Sequence, residues 1–326
     1  MFRAILAAAL AAAALIVGPV ANSAAAQDYP ARTITLIVPY PPGGGVDAMA
    51  RIVADKLSVA LGQTVVVDNR GGGGGNIGAR AVAKAAPDGY TLLLGHTGTI
   101  SINPTLYANP GYDPETDFTA IGMVATMPVA LMAHPSFPAR TVADVIALAK
   151  KEPGRINMGT SAVGTGGYMS AELFKAMAGV DFNIVPYKGT APVMNDLLGG
   201  HVPVAFGVLP PALGNIGSGN LVAIAVLSKD RFSGLPNVPT AAESGLPGFE
   251  AVLRYGLLAP AGTPKPIIDR LNKELRALVM TDDVKARINQ EGGDPIVSTP
   301  EEYTADIARE AAKWGSLIRK LNLKVN

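Results

Sequence analysis

Residues 33–61 read TITLIVPYPPGGGVDAMARIVADKLSVAL and contain a strand, a loop and a helix in succession. The β-branched and leucine residues from Thr33 to Val38 predict a buried strand, and Pro39 to Gly45 predicts a loop. Apolar side chains then recur at helical spacing from Val46 to Leu61. Glycines at such a junction let backbone N–H groups face a ligand, and a helix N-terminus favours an anion. The stretch therefore predicts an α/β fold with either an anion-facing loop or an ordinary glycine-rich turn.

The alternation of short strands and helices continues along the chain, which is typical of α/β architecture with mainly parallel strands. Two longer apolar runs, Ile121–Ala133 and Ala251–Ala259, enclose a self-contained α/β unit. We therefore predict two lobes joined by a two-strand hinge, each lobe a mainly parallel sheet flanked by helices. Lobe 1 is predicted over 27–125 plus 253–326, and lobe 2 over 126–252. A cleft between two lobes is a preferred position for a ligand.

Composition excludes several classes of protein. Of the 326 residues, 48% are hydrophobic, which is ample for a large folded core and excludes disorder. The 27 basic residues nearly balance the 26 acidic residues, so nucleic acid is not an expected partner. The absence of cysteine excludes disulfides, thiolate metal sites and thiol nucleophiles. The three histidines, His96, His134 and His201, have no metal-ligand spacing, so we expect no metal and a structural or solvent-facing role for each.

The N-terminal residues predict a secretory signal peptide over 1–26. Arg3 precedes an apolar run from Ala4 to Val17, and Ala24-Ala25-Ala26 fits the small-residue rule for cleavage before Gln27. The alternative is a membrane anchor, but the run is short for a span of about 20 residues and is mostly alanine. We expect a soluble periplasmic protein.

Two further glycine-rich motifs partly match known catalytic or cofactor-binding patterns. Residues 73–78 match the dinucleotide pattern G-x-G-x-x-G, but no acidic residue follows between Thr91 and Ile100, where that fold needs one. Residues 159–164 resemble a nucleophile elbow, but Val163 occupies the place of its second glycine. This second motif instead suits another anion-facing helix start with hydroxyls nearby, or simply a helix capped by Thr165.

The sequence thus contains many hydrogen-bond donors and almost no catalytic group, which favours a binding protein over an enzyme. Two alternatives stay open. One is an exported oxidoreductase or esterase that uses the glycine-rich loops. The other is a ligand-binding subunit that presents its ligand to a sensory system.

Several segments together resemble one known family, the Bug-type receptors of tripartite tricarboxylate transporters. They are VPYPPGG (38–44) with Asp47 and Arg51, DNR (68–70), NIG (76–78), APDGYTL (86–92), VPYKG (185–189), VPT (238–240) with Glu243 and Gly245, and APAGTP (259–264). The likeness runs through the whole mature chain in order. It implies a periplasmic binding protein of type II topology that captures a small carboxylate. It also implies delivery to a permease with one large and one small membrane subunit.

The resemblance also implies a site built from backbone N–H groups, hydroxyls and water, without a cofactor. The ligand-binding residues expected from it are Tyr40, Gly43, Gly44, Gly45, Val46, Asp47, Thr97, Gly98, Thr99, Ser161, Gly164 and Thr165. The ligand class is a di- or tricarboxylate, an aromatic acid or an acidic amino acid, and the receptor is expected to be a monomer.

Two positions depart from the family pattern and are predicted to lie near the cleft. Tyr168 stands where the family commonly has histidine, and Arg254 stands where it commonly has tryptophan. Arg254 is the only charged residue in the run 251–259. A buried guanidinium needs a carboxylate or water, so we expect Arg254 to bind a second carboxylate or an aromatic group of the ligand. The alternatives are an internal salt bridge or a solvent-facing charged head on a buried stem.

Overall fold

The computed structural model describes residues 29–325, so the predicted signal peptide over 1–26 lies outside the described residues. The strands in this range are β1 (Ile34–Val38), β2 (Val65–Asn69), β3 (Thr91–His96), β4 (Phe118–Ala133), β5 (Asn157–Thr160), β6 (Asn183–Pro186), β7 (Val204–Val208), β8 (Val222–Val226), β9 (Val252–Pro260) and β10 (Asp294–Pro295).

The helices are mostly placed between successive strands, as the sequence predicts. They are α1 (Gly45–Leu61), α2 (Asn76–Ala83), α3 (Asn103–Leu106), α4 (Val142–Lys151), α5 (Gly166–Ala178), α6 (Thr190–Leu198), α7 (Leu213–Gly217), α8 (Lys265–Val279), α9 (Asp282–Gln290) and α10 (Pro300–Lys320). Short 3₁₀ turns cover Gly73–Gly75 and Pro210–Ala212, and a π turn covers Gly98–Ile102.

The main path of the sheet has the strand order β2-β1-β3-β9-β4-β7-β5-β6. Strand β1 is parallel to β2 and β3, and β5 is parallel to β6 and β7. Between these two parallel units, β9 is antiparallel to both β3 and β4, and β4 is antiparallel to β7 and β8. The prediction of mainly parallel strands therefore holds for each three-strand unit. The sheet as a whole is mixed, because one crossing strand leaves the first unit and the other returns to it.

The long strand β4 changes partner along its length. Residues Phe118–Pro128 pair with β9, and Val129–Ala133 pair with β7 in the second unit. All nine residues of β9 are buried, and most of β4 is buried as well. Strands that are covered on both faces are expected to be continuously apolar, which is why both runs stand out in the sequence. Two lobes connected by two crossing strands are the predicted architecture.

Local capping rules hold at some of the helix starts within residues 29–325, and one predicted cap is absent. Thr141 and Thr299 each form a capping box with the acidic residue three positions later, and a proline follows Thr299 at the first helical position. The residue pair Thr263-Pro264 predicts a threonine cap and a first-position proline for α8, and this prediction is wrong. Pro264 holds the cap position, and the hydroxyl of Thr263 instead donates to the carbonyl of Pro260.

Within residues 29–325, no helix is both long enough and apolar enough to cross a membrane.

Candidate ligand-binding cleft

A cavity of about 680 Å³ lies where the two parallel units face each other across the crossing strands. This volume is within the range of small-molecule sites. Its wall comes from the loops that precede α1, α5 and α6, from the ends of β3 and β7, and from both crossing strands. The starts of three helices, which pack on two different halves of the sheet, therefore line one cavity.

The first of these starts, at α1, is left without a side-chain cap. Gly44 holds the cap position in an extended conformation, and no side chain accepts from the first-turn amides. A Cβ atom at Gly45 would lie 3.5 Å from Cε of Met127 and 3.6 Å from the hydroxyl of Tyr255, and both of these residues line the cavity. The open amides of this helix start thus lie at the cavity wall, where an anion would satisfy them.

The helix start at α5 is capped by its own loop. Thr165 accepts a hydrogen bond from the amide of Tyr168 and donates one to the carbonyl of Ala162, 2.7 Å away. Its hydroxyl also lies 2.7 Å from that of Ser161. The capping alternative for Thr165 is therefore present in the structure. Both hydroxyls still line the cavity together with Gly164.

The third helix start, at α6, was not among the predicted site residues. Gly189 holds its cap position at a φ of 125°, with no side-chain hydrogen bond to the first turn, and Gly189, Thr190 and Ala191 line the cavity. The signal was available in the sequence, because the VPYKG segment places a glycine between a strand and a helix as the other two loops do.

The electrostatics of the cavity come from helix ends rather than from basic side chains. In the part of the chain that the structure describes, the lining contains no lysine or arginine, and Glu291 is its charged residue. Burial lowers the pKa of His96, also in the lining, to about 4, so this imidazole is neutral at pH 7. The partial positive charges of the three helix starts are thus the favourable field for an anion.

Nine of the fourteen predicted site residues line the cavity. They are Tyr40, Gly43, Gly44, Gly45, Val46, Gly98, Ser161, Gly164 and Thr165. The other five, Asp47, Thr97, Thr99, Tyr168 and Arg254, are not in the lining, and each of them has a partner within the protein that explains its position.

Asp47 stabilises the glycine loop before α1 through hydrogen bonds of its carboxylate. Its carboxylate accepts from the amide of Gly43 at 2.9 Å, from Arg51 at 3.0 Å and from Asn69 at 3.0 Å. Burial opposes the charge of this carboxylate, but these hydrogen bonds outweigh it and lower the pKa of Asp47. Asp47 therefore holds the glycine loop in shape instead of facing the cavity.

The strand-end threonines and Tyr168 are likewise turned to internal partners. The Thr97 hydroxyl accepts from the amide of Arg254 at 2.7 Å, and the Thr99 hydroxyl donates to the carbonyl of His96 at 2.9 Å. Tyr168 lies beside Glu172 on α5, and burial together with this carboxylate raises the pKa of Tyr168 to about 12. Only Gly98 of the predicted strand-end segment reaches the cavity wall.

Arg254 is the largest correction to the predicted site. Its side chain is directed to α10 and is 8% exposed. The guanidinium lies 2.6 Å from Glu250, 3.0 Å from Asp306 and 3.1 Å from Glu310. The internal salt-bridge alternative is therefore the one that the structure contains. A guanidinium already surrounded by three carboxylates has no need of an anionic ligand.

The cavity also contains groups that sequence reasoning missed. His96 was expected to be structural or solvent-facing, and Tyr255 and Glu291 were not considered for the site. Each of them reaches the wall through tertiary packing of β3, β9 or the end of α9. No local motif marks these positions in the sequence.

Comparison with known proteins identifies the family. The model of the family described as "tripartite tricarboxylate transporter family receptor" matches residues 49–323 of this chain. Protein BugT of Bordetella pertussis is 38% identical over 307 residues, which cover 94% of each chain. Among solved structures, Rpa4515 of R. palustris with adipate is 37% identical with a TM-score of 0.81 and covers 91% of this chain and 100% of that one. MatC of Rhodopseudomonas palustris with bound malate is 32% identical with a TM-score of 0.76, over 89% of this chain and 100% of the other.

These matches confirm the predicted fold class, a two-lobe periplasmic binding protein, because relatives above 30% identity share it over about nine-tenths of the chain. They also support a solute-binding role. The chain belongs to the Bug-type receptors of the tripartite tricarboxylate transporter family.

Proposed function

We propose that this protein captures a small organic carboxylate in its cleft and releases it chemically unchanged. The observation that carries the proposal is the convergence of three helix starts on one cavity without a lysine or arginine in its described wall. Backbone N–H groups at helix ends bind anions through hydrogen bonds and the helix dipole. A carboxylate is the small organic anion that relatives with adipate and malate hold.

The arrangement of the uncapped helix starts favours a ligand with more than one oxygen-bearing group. The start of α1 belongs to one parallel unit and the start of α6 to the other, and both line the same cavity. A di- or tricarboxylate spans such a pair of sites, as does an acidic amino acid or an aromatic acid with a second polar group. Adipate and malate, the ligands of the two relatives, are both dicarboxylates.

Closure of the lobes around the ligand is part of the proposal. We assign lobe 1 to 27–125 plus 253–326 and lobe 2 to 126–252, connected by β4 and β9. Two connecting strands allow the lobes to move as rigid bodies. Small-angle scattering with and without saturating ligand is expected to show a more compact bound form, and identical profiles would argue against this division.

We further propose that the protein works in the periplasm as a monomer, after removal of residues 1–26. It delivers the ligand to one large and one small membrane subunit of a tripartite transporter. Membership in this receptor family supports the assignment. Co-purification of the ligand-loaded receptor with the two membrane subunits, compared with the ligand-free receptor, tests the delivery step. A membrane kinase that captures the receptor in their place would favour the sensory alternative.

Ligand binding itself is tested with purified protein from residue 27 onward and a panel of malate, adipate, citrate, benzoate and aspartate. A bound ligand stabilises the fold by about 2.7 kcal/mol at a hundredfold excess over Kd, so thermal shifts identify ligands that calorimetry then quantifies. At least one carboxylate is expected to bind. Binding of NAD or a metal ion, with no response to any carboxylate, would contradict the proposal.

A further inference from the structure

The imidazole of His96 occupies a defined position in the cavity wall. Its ring centroid lies 5.3 Å from that of Tyr40 and 5.3 Å from that of Tyr255, with interplanar angles of 78° and 55°. All three residues line the cavity. Because His96 ends β3 and pairs with Tyr255 on β9, the ring is held by the sheet itself and by aromatic contacts on two sides.

Hydrogen bonding determines which ring nitrogen of His96 carries the proton. The backbone amide of Gly98 donates to Nδ1 at 3.0 Å, and the hydroxyl of Tyr40 lies 3.3 Å from the same nitrogen. An amide N–H is only a donor, so Nδ1 must be the acceptor and holds no proton. A neutral imidazole has one N–H group, which is therefore at Nε2. Burial keeps the ring neutral by lowering the pKa of His96 to about 4.

The Nε2–H group is left without a partner inside the protein. No hydrogen bond from Nε2 to another group is present within residues 29–325. The one buried side-chain nitrogen or oxygen in that range without a hydrogen bond is Arg254 Nη1, which is ion-paired with Glu310 at 3.1 Å. It follows that Nε2 is in contact with solvent. A fixed N–H donor in a cavity wall is a group that a ligand oxygen can satisfy.

We propose that His96 is a specificity-determining residue whose Nε2–H donates to a second oxygen-bearing group of the bound acid. The inference rests on the proposed function, since it assumes that a carboxylate binds at the helix starts. It narrows the ligand to a short acid with a hydroxyl, carbonyl or second carboxylate oxygen besides the first carboxylate. An acid with a bare alkyl chain leaves the donor unpaired in the closed site, and a site of this kind rejects such an analogue strongly.

Two substitutions separate the ligand role of His96 from its structural role. In His96→Asn, the amide oxygen can replace Nδ1 as the acceptor for Gly98, but the donor at Nε2 is lost. In His96→Gln, the longer side chain places an amide N–H near the position of Nε2, but the acceptor for Gly98 is lost. The proposal thus predicts that Gln preserves binding and that Asn does not. If the ring serves only to accept the hydrogen bond from Gly98, Asn should preserve binding and Gln should not.

The measurement is calorimetry of the wild type and both variants with malate and adipate, and with the matched monocarboxylates butyrate and hexanoate. The wild type is expected to prefer the dicarboxylate of each pair. His96→Asn should weaken dicarboxylate binding by about tenfold to a hundredfold and reduce the preference, while His96→Gln stays within about threefold of the wild type. Unchanged affinity in His96→Asn, or a loss confined to His96→Gln, would overturn the proposal.

Failure of the proposed function gives a different result, because the wild type would then bind none of the carboxylates. If both variants lose binding or fail to fold, nitrogen NMR of the wild-type ring decides. The ring of His96 is expected to show the Nε2–H tautomer, and its Nε2 proton should shift and exchange more slowly with saturating malate or adipate. The rings of His134 and His201, which do not line the cavity, serve as internal references. A His96 ring that does not respond to a bound acid would refute the ligand contact.

Discussion

The start of α1 and the side chain of Arg254 were both predicted to contact the ligand, but in the structure they have opposite surroundings. The α1 start has no charged group in the cavity, yet its first-turn amides have no side-chain cap. Arg254 has a full positive charge, but three carboxylates surround it, Glu250 from the segment before β9 and Asp306 and Glu310 from α10. The donors that a protein leaves without internal partners are those available to a ligand, whether or not they are charged.

The physical reason is the cost of burying polar groups. A guanidinium transferred from water to the interior needs compensating carboxylates, which this fold supplies, so the cluster is complete without a ligand. The amides at a helix end lack intrahelical partners and stay accessible only where no side chain caps them. A glycine cap, as at Gly44 and Gly189, preserves that accessibility. A threonine cap, as at Thr165, occupies one of these amides and so reduces their accessibility.

The largest expected effect is a loss of stability when Arg254 is removed from its three carboxylate partners. Arg254→Met leaves Glu250, Asp306 and Glu310 close together without their central cation, and we expect a loss of about 3–5 kcal/mol in the free energy of unfolding. Carboxylate affinity should change less than about threefold, since Arg254 does not line the cavity. Urea unfolding and calorimetry measure the two quantities.

The matched control for this change is Arg231→Met, which breaks an ion pair with Glu243 whose partners are both about half exposed. Its cost should stay below about 1 kcal/mol. A large loss of ligand affinity in Arg254→Met at unchanged stability would show that Arg254 contacts the ligand. The contrast between Arg254 and the α1 start would then be wrong.

The second effect is a pH dependence of stability that comes from the neutral ring in the cavity wall. Burial lowers the pKa of His96 from its usual 6.5 to about 4, so the unfolded chain binds a proton that the folded chain does not. The contribution of neutral His96 to the free energy of unfolding is fully present above about pH 6.5. It is lost as the pH falls toward 4, and the total loss is about 3 kcal/mol. Urea unfolding of wild type and His96→Gln across this window should show the steeper slope in the wild type. Parallel slopes would contradict the assignment.

The third effect tests the open helix start directly. In Gly44→Asp, a carboxylate at the cap position accepts from the first-turn amides and adds a negative charge where the ligand anion is proposed to bind. The backbone there is extended and no heavy atom lies within 4 Å of an added Cβ, so the fold should be as stable as before or slightly more stable. Affinity should fall about a hundredfold, or about 2.7 kcal/mol.

Gly217→Asp is the control for charge alone, because Gly217 is exposed, is not in the cavity lining and has open space around an added Cβ. It should leave the affinity unchanged. If Gly44→Asp binds as tightly as the wild type, the α1 start is a structural turn and not an anion site.

The smallest effect is expected at the capped helix start. Thr165→Ala removes the acceptor for the amide of Tyr168 and should cost about 1 kcal/mol of stability. Affinity should change less than in Gly44→Asp, because the freed amide partly replaces the lost hydroxyl in the cavity wall. Thermal unfolding and calorimetry check both quantities. An affinity loss equal to that of Gly44→Asp would mean that the Thr165 hydroxyl itself is a main ligand contact.

The bounds of most elements follow from local chemistry and were predictable. Residue order predicts a strand over 157–160, a helix over 166–178 and a capping box at Thr299, and the structure has all three at these residues. Capping, glycine turns and apolar periodicity act between neighbours in the chain, so residue order is sufficient to predict them. The family pattern is also a property of residue order, and nine of the predicted site residues lie in the cavity wall.

What residue order could not settle is which polar group meets which partner across the fold. Arg254 and Thr263 both had a plausible local role, and packing gave each an internal partner instead. His96 had no local signal, yet the pairing of β3 with β9 and the turn at Gly98 place its ring between two tyrosines at the cavity. By itself, the sequence determined the elements, the family and the glycine loops of the site. Only the tertiary structure decided which donors stay unsatisfied, because that depends on contacts between residues far apart in the chain.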